Sequence, residues 1–128
     1  MMGAVRRPAL LLAALAVVTA CGGGGGGEPE VVGTTVPDAE AITVVATDFA
    51  YEPATLELVA GQPVNLTLEV QDGGHDLVVA DAGFRIPILD EPDAAVATLV
   101  IDEPGTYTFQ CNVPGHAAQG MTGTITVR

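Results

Sequence analysis

Cys111, His116 and Met121 bring a thiol, an imidazole and a thioether into one short segment, with four residues between neighbouring members. Soft sulfur ligands combined with imidazole form a donor set that copper prefers, with thiolate and histidine as strong ligands and methionine as a weak axial one. Such a site needs a second imidazole, and the chain has one other histidine, His75. These residue types and their spacing indicate a site for one copper ion. The same donors also allow zinc, because tetrahedral sulfur and nitrogen sites suit that ion.

Alternating apolar and polar residues lead into and out of this segment. Tyr107 and Phe109 share a face with Cys111, and Ile125 shares a face with Met121. Such alternation is typical of half-buried strands. The segment is therefore predicted to be a loop that joins two strands at one end of a β-structure.

The rest of the chain from residue 41 onward also has the residue pattern of β-strands. Short strands are predicted at 42–46, 55–59, 64–70, 75–79, 96–101, 106–111 and 121–127, with turn residues between them, and 81–93 is predicted to be an irregular excursion. No segment has a sustained helical period. This pattern predicts an all-β, two-sheet Greek-key sandwich of about seven to eight strands.

The first forty residues have a different composition. Residues 1–20 have a short basic start followed by an apolar run, which is typical of a secretory signal peptide. Val18-Thr19-Ala20-Cys21 resembles the lipobox of bacterial lipoproteins, in which the cysteine becomes an acylated N-terminus; the alternative is an ordinary signal peptide. Residues 21–40 begin with six glycines after Cys21 and are predicted to be a flexible tether. The domain is then residues 41–128.

Net charge excludes one class of partner. Beyond residue 20 there are two arginines and sixteen acidic residues, a formal charge of −14. Nucleic acid is not expected to bind, because its binding needs a basic face. A basic partner protein would be attracted, although the charge also suits simple solubility.

The ligand segment and its surroundings resemble a known family. The run from Cys111 to Val127, together with Asp48-Phe49-Ala50-Tyr51-Glu52-Pro53 and Gly105-Thr106-Tyr107, is similar to the small blue-copper proteins, or cupredoxins. The loop is most similar to that of the rusticyanin and auracyanin type. The resemblance covers about 42–128 and implies the cupredoxin fold.

The resemblance also implies how the copper ion is bound. His75, Cys111 and His116 correspond to the three strong ligands, with Met121 axial, and the Gly74 carbonyl to a weak fifth contact. One residue departs from the family pattern: Asp76 follows the first histidine where asparagine is common. An ionised carboxylate accepts hydrogen bonds but cannot donate them, and its negative charge favours Cu(II).

The family resemblance implies a type 1 copper protein that carries single electrons. Enzymes of the nitrite reductase and multicopper oxidase type need further histidines, and dinuclear centres need a second cysteine, so we expect a carrier and not an enzyme. The alternative function is copper trafficking or buffering without redox turnover. We expect an exported monomer, either anchored by lipid to the outer face of the cell membrane or in the periplasm, with a cytochrome, oxidase or reductase as partner. Small apolar neighbours predict that the His116 ring edge reaches the surface.

Overall fold

Two five-stranded β-sheets pack face to face in the computed structural model, which describes residues 28–128. The strands are β1 (Glu30–Val31), β2 (Glu40–Thr47), β3 (Ala50–Glu52), β4 (Thr55–Leu58), β5 (Val64–Val70), β6 (Gly74–Val79), β7 (Phe84–Asp90), β8 (Ala94–Leu99), β9 (Gly105–Gln110) and β10 (Thr122–Val127). Two single-turn 3-10 helices lie at Ala80–Ala82 and Ala117–Gln119. No helix among the described residues has the length and hydrophobicity needed to cross a membrane. The predicted signal peptide and Cys21 lie outside the described residues.

The sheet order accounts for where the ligand loop lies. One sheet has the order β1-β8-β5-β2-β3 and the other β4-β10-β9-β6-β7. β9 and β10 are antiparallel neighbours, and β9 lies beside β6 through the pair Val78 and Gln110. The start of β6 and the loop between β9 and β10 therefore lie at the same end of the sandwich.

Alternation along the strands builds the core. Residues of β5 alternate strictly between buried and half-buried from Val64 to Val70, as predicted for a strand with one buried face. The largest fully buried side chain is Phe109, which packs against the ring of Tyr51 with centroids 5.0 Å apart. The predicted all-β sandwich is confirmed.

The strand count is higher than the predicted seven to eight. β1, β3 and β7 are additional, and β7 runs through the predicted excursion at 81–93. In the sequence, Pro87 argued against a strand within 81–93. Proline is tolerated in β7 because this strand is an edge and carries a bulge, with Pro87 and Ile88 lying opposite Asp76.

The predicted tether at 21–40 is too long at its C-terminal end. β1 pairs in parallel with β8, and the Val32 N–H donates to the Val96 carbonyl. Asn65 exchanges two hydrogen bonds with the backbone of Val36. Residues from 30 onward are therefore attached to the sheet, because their backbone groups complete the open edge beside β8.

Candidate metal centre

His75 is the first of the predicted ligands in the chain, and it lies near the start of β6. Its side chain is fully buried. His75, Asp76 and Leu77 are all buried in succession, which breaks the strand alternation at the point where the β6–β7 register shifts. Bulges commonly redirect side chains in this way beside functional sites.

The other three residues lie in or beside the loop that joins β9 to β10. Cys111 directly follows β9, and Met121 directly precedes β10. The Cys111 N–H donates to the Met121 carbonyl at 3.2 Å, and the Met121 N–H donates to the His116 carbonyl at 3.2 Å. Gly120 has a φ of 97°, a left-handed conformation that favours glycine. Backbone hydrogen bonds thus fix all three residues relative to one another.

Three donor atoms converge between these elements. Nδ1 of His75 lies 3.1 Å from Nδ1 of His116, and Sγ of Cys111 lies 3.9 Å and 3.6 Å from the same two atoms. Two ring nitrogens at 3.1 Å cannot both carry hydrogen, so at least one presents a lone pair. The structure brings His75, Cys111 and His116 together, as predicted.

The triangle of donor atoms has the size that a metal ion needs. For sides of 3.1, 3.6 and 3.9 Å, the point equidistant from the three atoms lies about 2.1 Å from each. Metal–imidazole and metal–thiolate bonds are ~2.0–2.3 Å long. The residues present therefore fit a single ion with two nitrogen ligands and one sulfur ligand.

Met121 is the fourth residue of the predicted ligand set. Its side chain is fully buried, and it belongs to the same apolar cluster as Cys111. A buried thioether beside a histidine–cysteine triangle is the arrangement in which methionine acts as a weak axial ligand. The weak contact from the Gly74 carbonyl stays a prediction.

Burial raises the pKa of the Cys111 thiol above its usual value. Hydrogen bonds from the backbone N–H groups of Asp76 and Val113 act in the opposite direction by stabilising the thiolate. A bound metal requires the thiolate, so metal binding displaces the thiol proton. Cys111 is the one free cysteine among the described residues.

An acidic pair lies behind His75, and the sequence analysis did not assign it. Nε2 of His75 lies 3.2 Å from Oδ1 of Asp48 and 4.0 Å from Oδ1 of Asp72. The backbone N–H of Asp48 donates to the Asp72 carboxylate. Nε2 itself is buried and makes no hydrogen bond in the described part of the chain. A Cβ at Gly73 would lie 2.7 Å from Oδ1 of Asp48, so glycine permits this approach.

Phe49 was also missed. Its ring meets the His116 ring edge-on, with centroids 4.9 Å apart, and it is 39% exposed. His116 is partly exposed, as predicted. Phe49 therefore extends the apolar surface beside His116, and its distance of 67 residues from that histidine left no local sign of the contact.

The sequence profile of the cupredoxin-like domain matches residues 9–127. A comparison with curated protein sequences gave no significant match.

Solved structures share the fold. Sodium dithionite-reduced auracyanin from Roseiflexus castenholzii is 20% identical with a TM-score of 0.63, over 70% of this chain and 98% of that one. Oxidised plastocyanin from Dryopteris crassirhizoma is 27% identical with a TM-score of 0.51, over 68% and 100%. The metal-binding domain of the Cu(I)-exporting ATPase CopA from Streptococcus pneumoniae D39 is 21% identical with a TM-score of 0.59, over 80% and 99%.

Proposed function

Because the chain belongs to the cupredoxin-like domain family, we propose that it is a type 1 copper protein that carries single electrons. The observation that carries this proposal is the triangle of two imidazole nitrogens and one sulfur, sized for one ion. Bound copper supplies the one-electron Cu(I)/Cu(II) couple. The similar plastocyanin from Dryopteris crassirhizoma, which is 27% identical, was solved in an oxidised form, and this supports the same function.

The protein's own residues would hold the ion and limit rearrangement. His75 and Cys111 are fully buried, so water is excluded from two of the three strong ligands. The backbone bonds among Cys111, His116 and Met121 keep the loop in one conformation. A site that changes little between oxidation states lets an electron enter and leave with little reorganisation.

The alternative of copper trafficking has less support. Among residues 28–128, both histidines and the one methionine belong to the site, and His75 and Met121 are fully buried. Proteins that hand over copper present several accessible soft ligands. The CopA domain shares the fold at 21% identity, which supports the architecture and not the role.

Redox titration of the copper-loaded protein tests the proposal. We expect an intense visible band that bleaches on reduction and returns in full on reoxidation, with one electron per protein. A colourless protein that surrenders copper readily to a chelator would support trafficking. A protein that takes up zinc and never copper would support the zinc alternative.

We further propose that the protein is exported and lipidated at Cys21, with residues 1–20 removed. The support is the sequence of residues 18–21 and the glycine run after it. A tether from residue 21 to about 29 would then hold the domain near the outer face of the membrane, where a cytochrome, oxidase or reductase is the partner.

Replacing Ala118 with lysine or glutamate is expected to slow electron transfer to a protein partner about tenfold, because a charge placed in an apolar contact disrupts docking. Ala118 is exposed in the turn after His116. Stopped-flow mixing with a basic c-type cytochrome as probe measures the rate. Thr106→Lys is the matched control, since exposed Thr106 lies at the other end of β9. An unchanged rate in both Ala118 variants would place the electron exit elsewhere; the visible spectrum should not change.

Asp48→Asn is expected to lower Cu(II) affinity about tenfold, since carboxylates behind metal-binding histidines typically contribute 10–100-fold. With Nδ1 on the metal, the ring proton sits on Nε2, 3.2 Å from the Asp48 carboxylate. Competition with a chelator measures the affinity. Asp102→Asn, an exposed acid beyond β8 at the opposite end, should have no effect. Equal affinities in the two variants would show that Asp48 does not support His75.

A further inference from the structure

The first described strand determines at which end of the sandwich the chain enters the domain. β1 pairs in parallel with the start of β8, with Glu30 opposite Ala95. Just before β8, the Asp93 carbonyl accepts the N–H of Val70, the last residue of β5. β5 leads through a short turn to His75. Glu30 therefore lies at the end of the sandwich that holds the candidate metal centre.

The start of β2 and the C-terminus lie at the opposite end. β2 begins at Glu40, which pairs with Val64, the first residue of β5. The C-terminus lies at the same end as Glu40, because Val127 pairs with Gly105 at the start of β9. Residues 30–36, which we name the N-terminal strap, therefore move the entry point of the chain to the metal-centre end.

Several groups hold the N-terminal strap on the sheet. Thr98 donates its N–H and its hydroxyl to the Thr34 carbonyl, at 2.8 Å and 2.7 Å. Asn65 accepts the Val36 N–H at 3.1 Å and donates to the Val36 carbonyl at 2.8 Å. Val32 packs against the hydrophobic core. The attached position is favoured, because detachment would break these hydrogen bonds and expose Val32 to water.

The proposed lipid anchor at Cys21 is close to this entry point in the sequence. Residues 21–29 span at most about 30 Å when fully extended, and their glycine-rich sequence predicts an r.m.s. reach of ~17 Å. A soluble domain of 100 residues has a radius of gyration of ~13 Å and is therefore ~30 Å across. Such a domain does not fit between the membrane and the metal-centre end at the typical reach of the tether.

We propose that the N-terminal strap turns the metal-centre end of the domain toward the membrane, and that the partner docking beside His116 is an integral membrane redox protein. This inference rests on the proposed copper function and on the proposed lipidation of Cys21. The docking surface contains the partly exposed His116 and the ring of Phe49. Lipid headgroups do not suit it, because a formal charge of −14 beyond residue 20 repels an anionic surface. An integral membrane protein presents its redox group within reach of the tether.

Energy transfer to the membrane surface tests the orientation in the metal-free protein. The lipidated chain carries a donor dye on Glu91→Cys or on Thr106→Cys and sits on phosphatidylcholine vesicles that contain acceptor-labelled lipid. Exposed Glu91 lies at the metal-centre end, where its N–H donates to the Gly73 carbonyl, and exposed Thr106 lies at the other end of β9. A strand of six residues spans about 20 Å, so transfer from position 91 should be about twofold more efficient. Equal efficiencies would overturn the orientation.

Electron transfer to a cytochrome in solution tests whether the membrane covers the metal centre. We expect the copper-loaded, lipidated protein on vesicles to reduce a free basic c-type cytochrome about tenfold more slowly than Cys21→Ser, which has no anchor. The matched control is Cys21→Ser held by a chemically lipidated cysteine at the end of a nine-residue, glycine-rich extension after Arg128. Its metal centre faces away from the membrane, so its rate should stay within about threefold of the unanchored protein. Equal slowing in the two anchored forms would overturn the orientation.

Deleting residues 30–39 tests the N-terminal strap itself. The deletion joins the tether directly to Glu40 at the opposite end and keeps the tether length. The order of the energy-transfer efficiencies should reverse, with position 106 more efficient than position 91. An unchanged order would show that the strap does not set the orientation. If the deleted chain does not fold, the chain anchored after Arg128 decides the question by the same measurement.

A c-type cytochrome held in the same vesicles by its own membrane-spanning helix tests the kind of partner. The protein anchored at Cys21 should reduce it about tenfold faster than the protein anchored after Arg128, because only the first presents its metal centre to the membrane. Equal rates would overturn the membrane partner. A Cys21→Ser protein that reduces no cytochrome contradicts the proposed copper function, while energy transfer still decides the orientation. A chain that cells do not lipidate at Cys21 contradicts the anchor and this inference together.

Discussion

Replacing Cys111 with serine is expected to abolish the visible colour of the copper-loaded protein and to weaken copper binding about a thousandfold, or ~4 kcal/mol. Sγ of Cys111 lies 3.6–3.9 Å from the two ring nitrogens and is the sulfur corner of the donor triangle. A thiolate is a soft ligand that copper prefers in both oxidation states, whereas a serine hydroxyl stays protonated and hard. Serine nearly matches cysteine in size, so the buried position should keep its packing.

Met121→Leu is the matched control for that substitution. Leucine and methionine have similar volumes, and exchanges between them in cores usually cost less than ~1.5 kcal/mol. Met121 lies in the same loop and is as buried as Cys111. The colour should persist in Met121→Leu, because the three strong ligands remain. Visible absorption and competition with a chelator measure both variants, and an equally strong colour in Cys111→Ser would rule out the thiolate as a ligand.

Gly123→Ala is expected to destabilise the metal-free protein by about 3 kcal/mol or more, a large part of the ~5–15 kcal/mol of a typical domain. Gly123 in β10 lies directly opposite Phe109 in β9. An added Cβ would overlap the Phe109 ring and would lie 2.7 Å from the Ala54 carbonyl oxygen. Backbone and a buried ring cannot both move aside, so the strand pair must shift.

Denaturant unfolding measures this effect, with Gly33→Ala as the control. A Cβ at Gly33 would meet only the Ala97 Cβ at 3.7 Å, an ordinary contact. Phe109→Leu combined with Gly123→Ala should cost less than the sum of the two single changes, because the smaller side chain makes room. Equal stabilities of Gly123→Ala and Gly33→Ala would contradict the packing described for β9 and β10.

The ligand loop could be predicted from the sequence because its information is local. The spacing of Cys111, His116 and Met121 and the alternation on either side lie within about twenty residues. His75 could be assigned because the chain has no other histidine to complete the site. Counting residue types was sufficient for that step, and the structure then confirmed that the three donor atoms meet.

Features that depend on distant pairing could not be predicted. β7 runs through Pro87, and the edge position of this strand together with its bulge makes that proline acceptable. Arg85 contacts Asp76 because Arg85 pairs with Val78, two residues after Asp76, and the alternation pattern does not signal this register. Asp48 lies behind His75 through a contact between residues 27 positions apart. Each of these contacts follows from the packed strands and not from neighbouring residue types.

A crystal structure of the copper-loaded protein, with anomalous scattering measured at the copper edge, tests the central claim most directly. The account predicts one anomalous peak about 2.1 Å from Nδ1 of His75, Nδ1 of His116 and Sγ of Cys111. Asp48, Asp72 and Nε2 of His75 form a second group of potential ligands within 4.8 Å of one another. A single peak in that acidic group, with none in the triangle, would contradict the account.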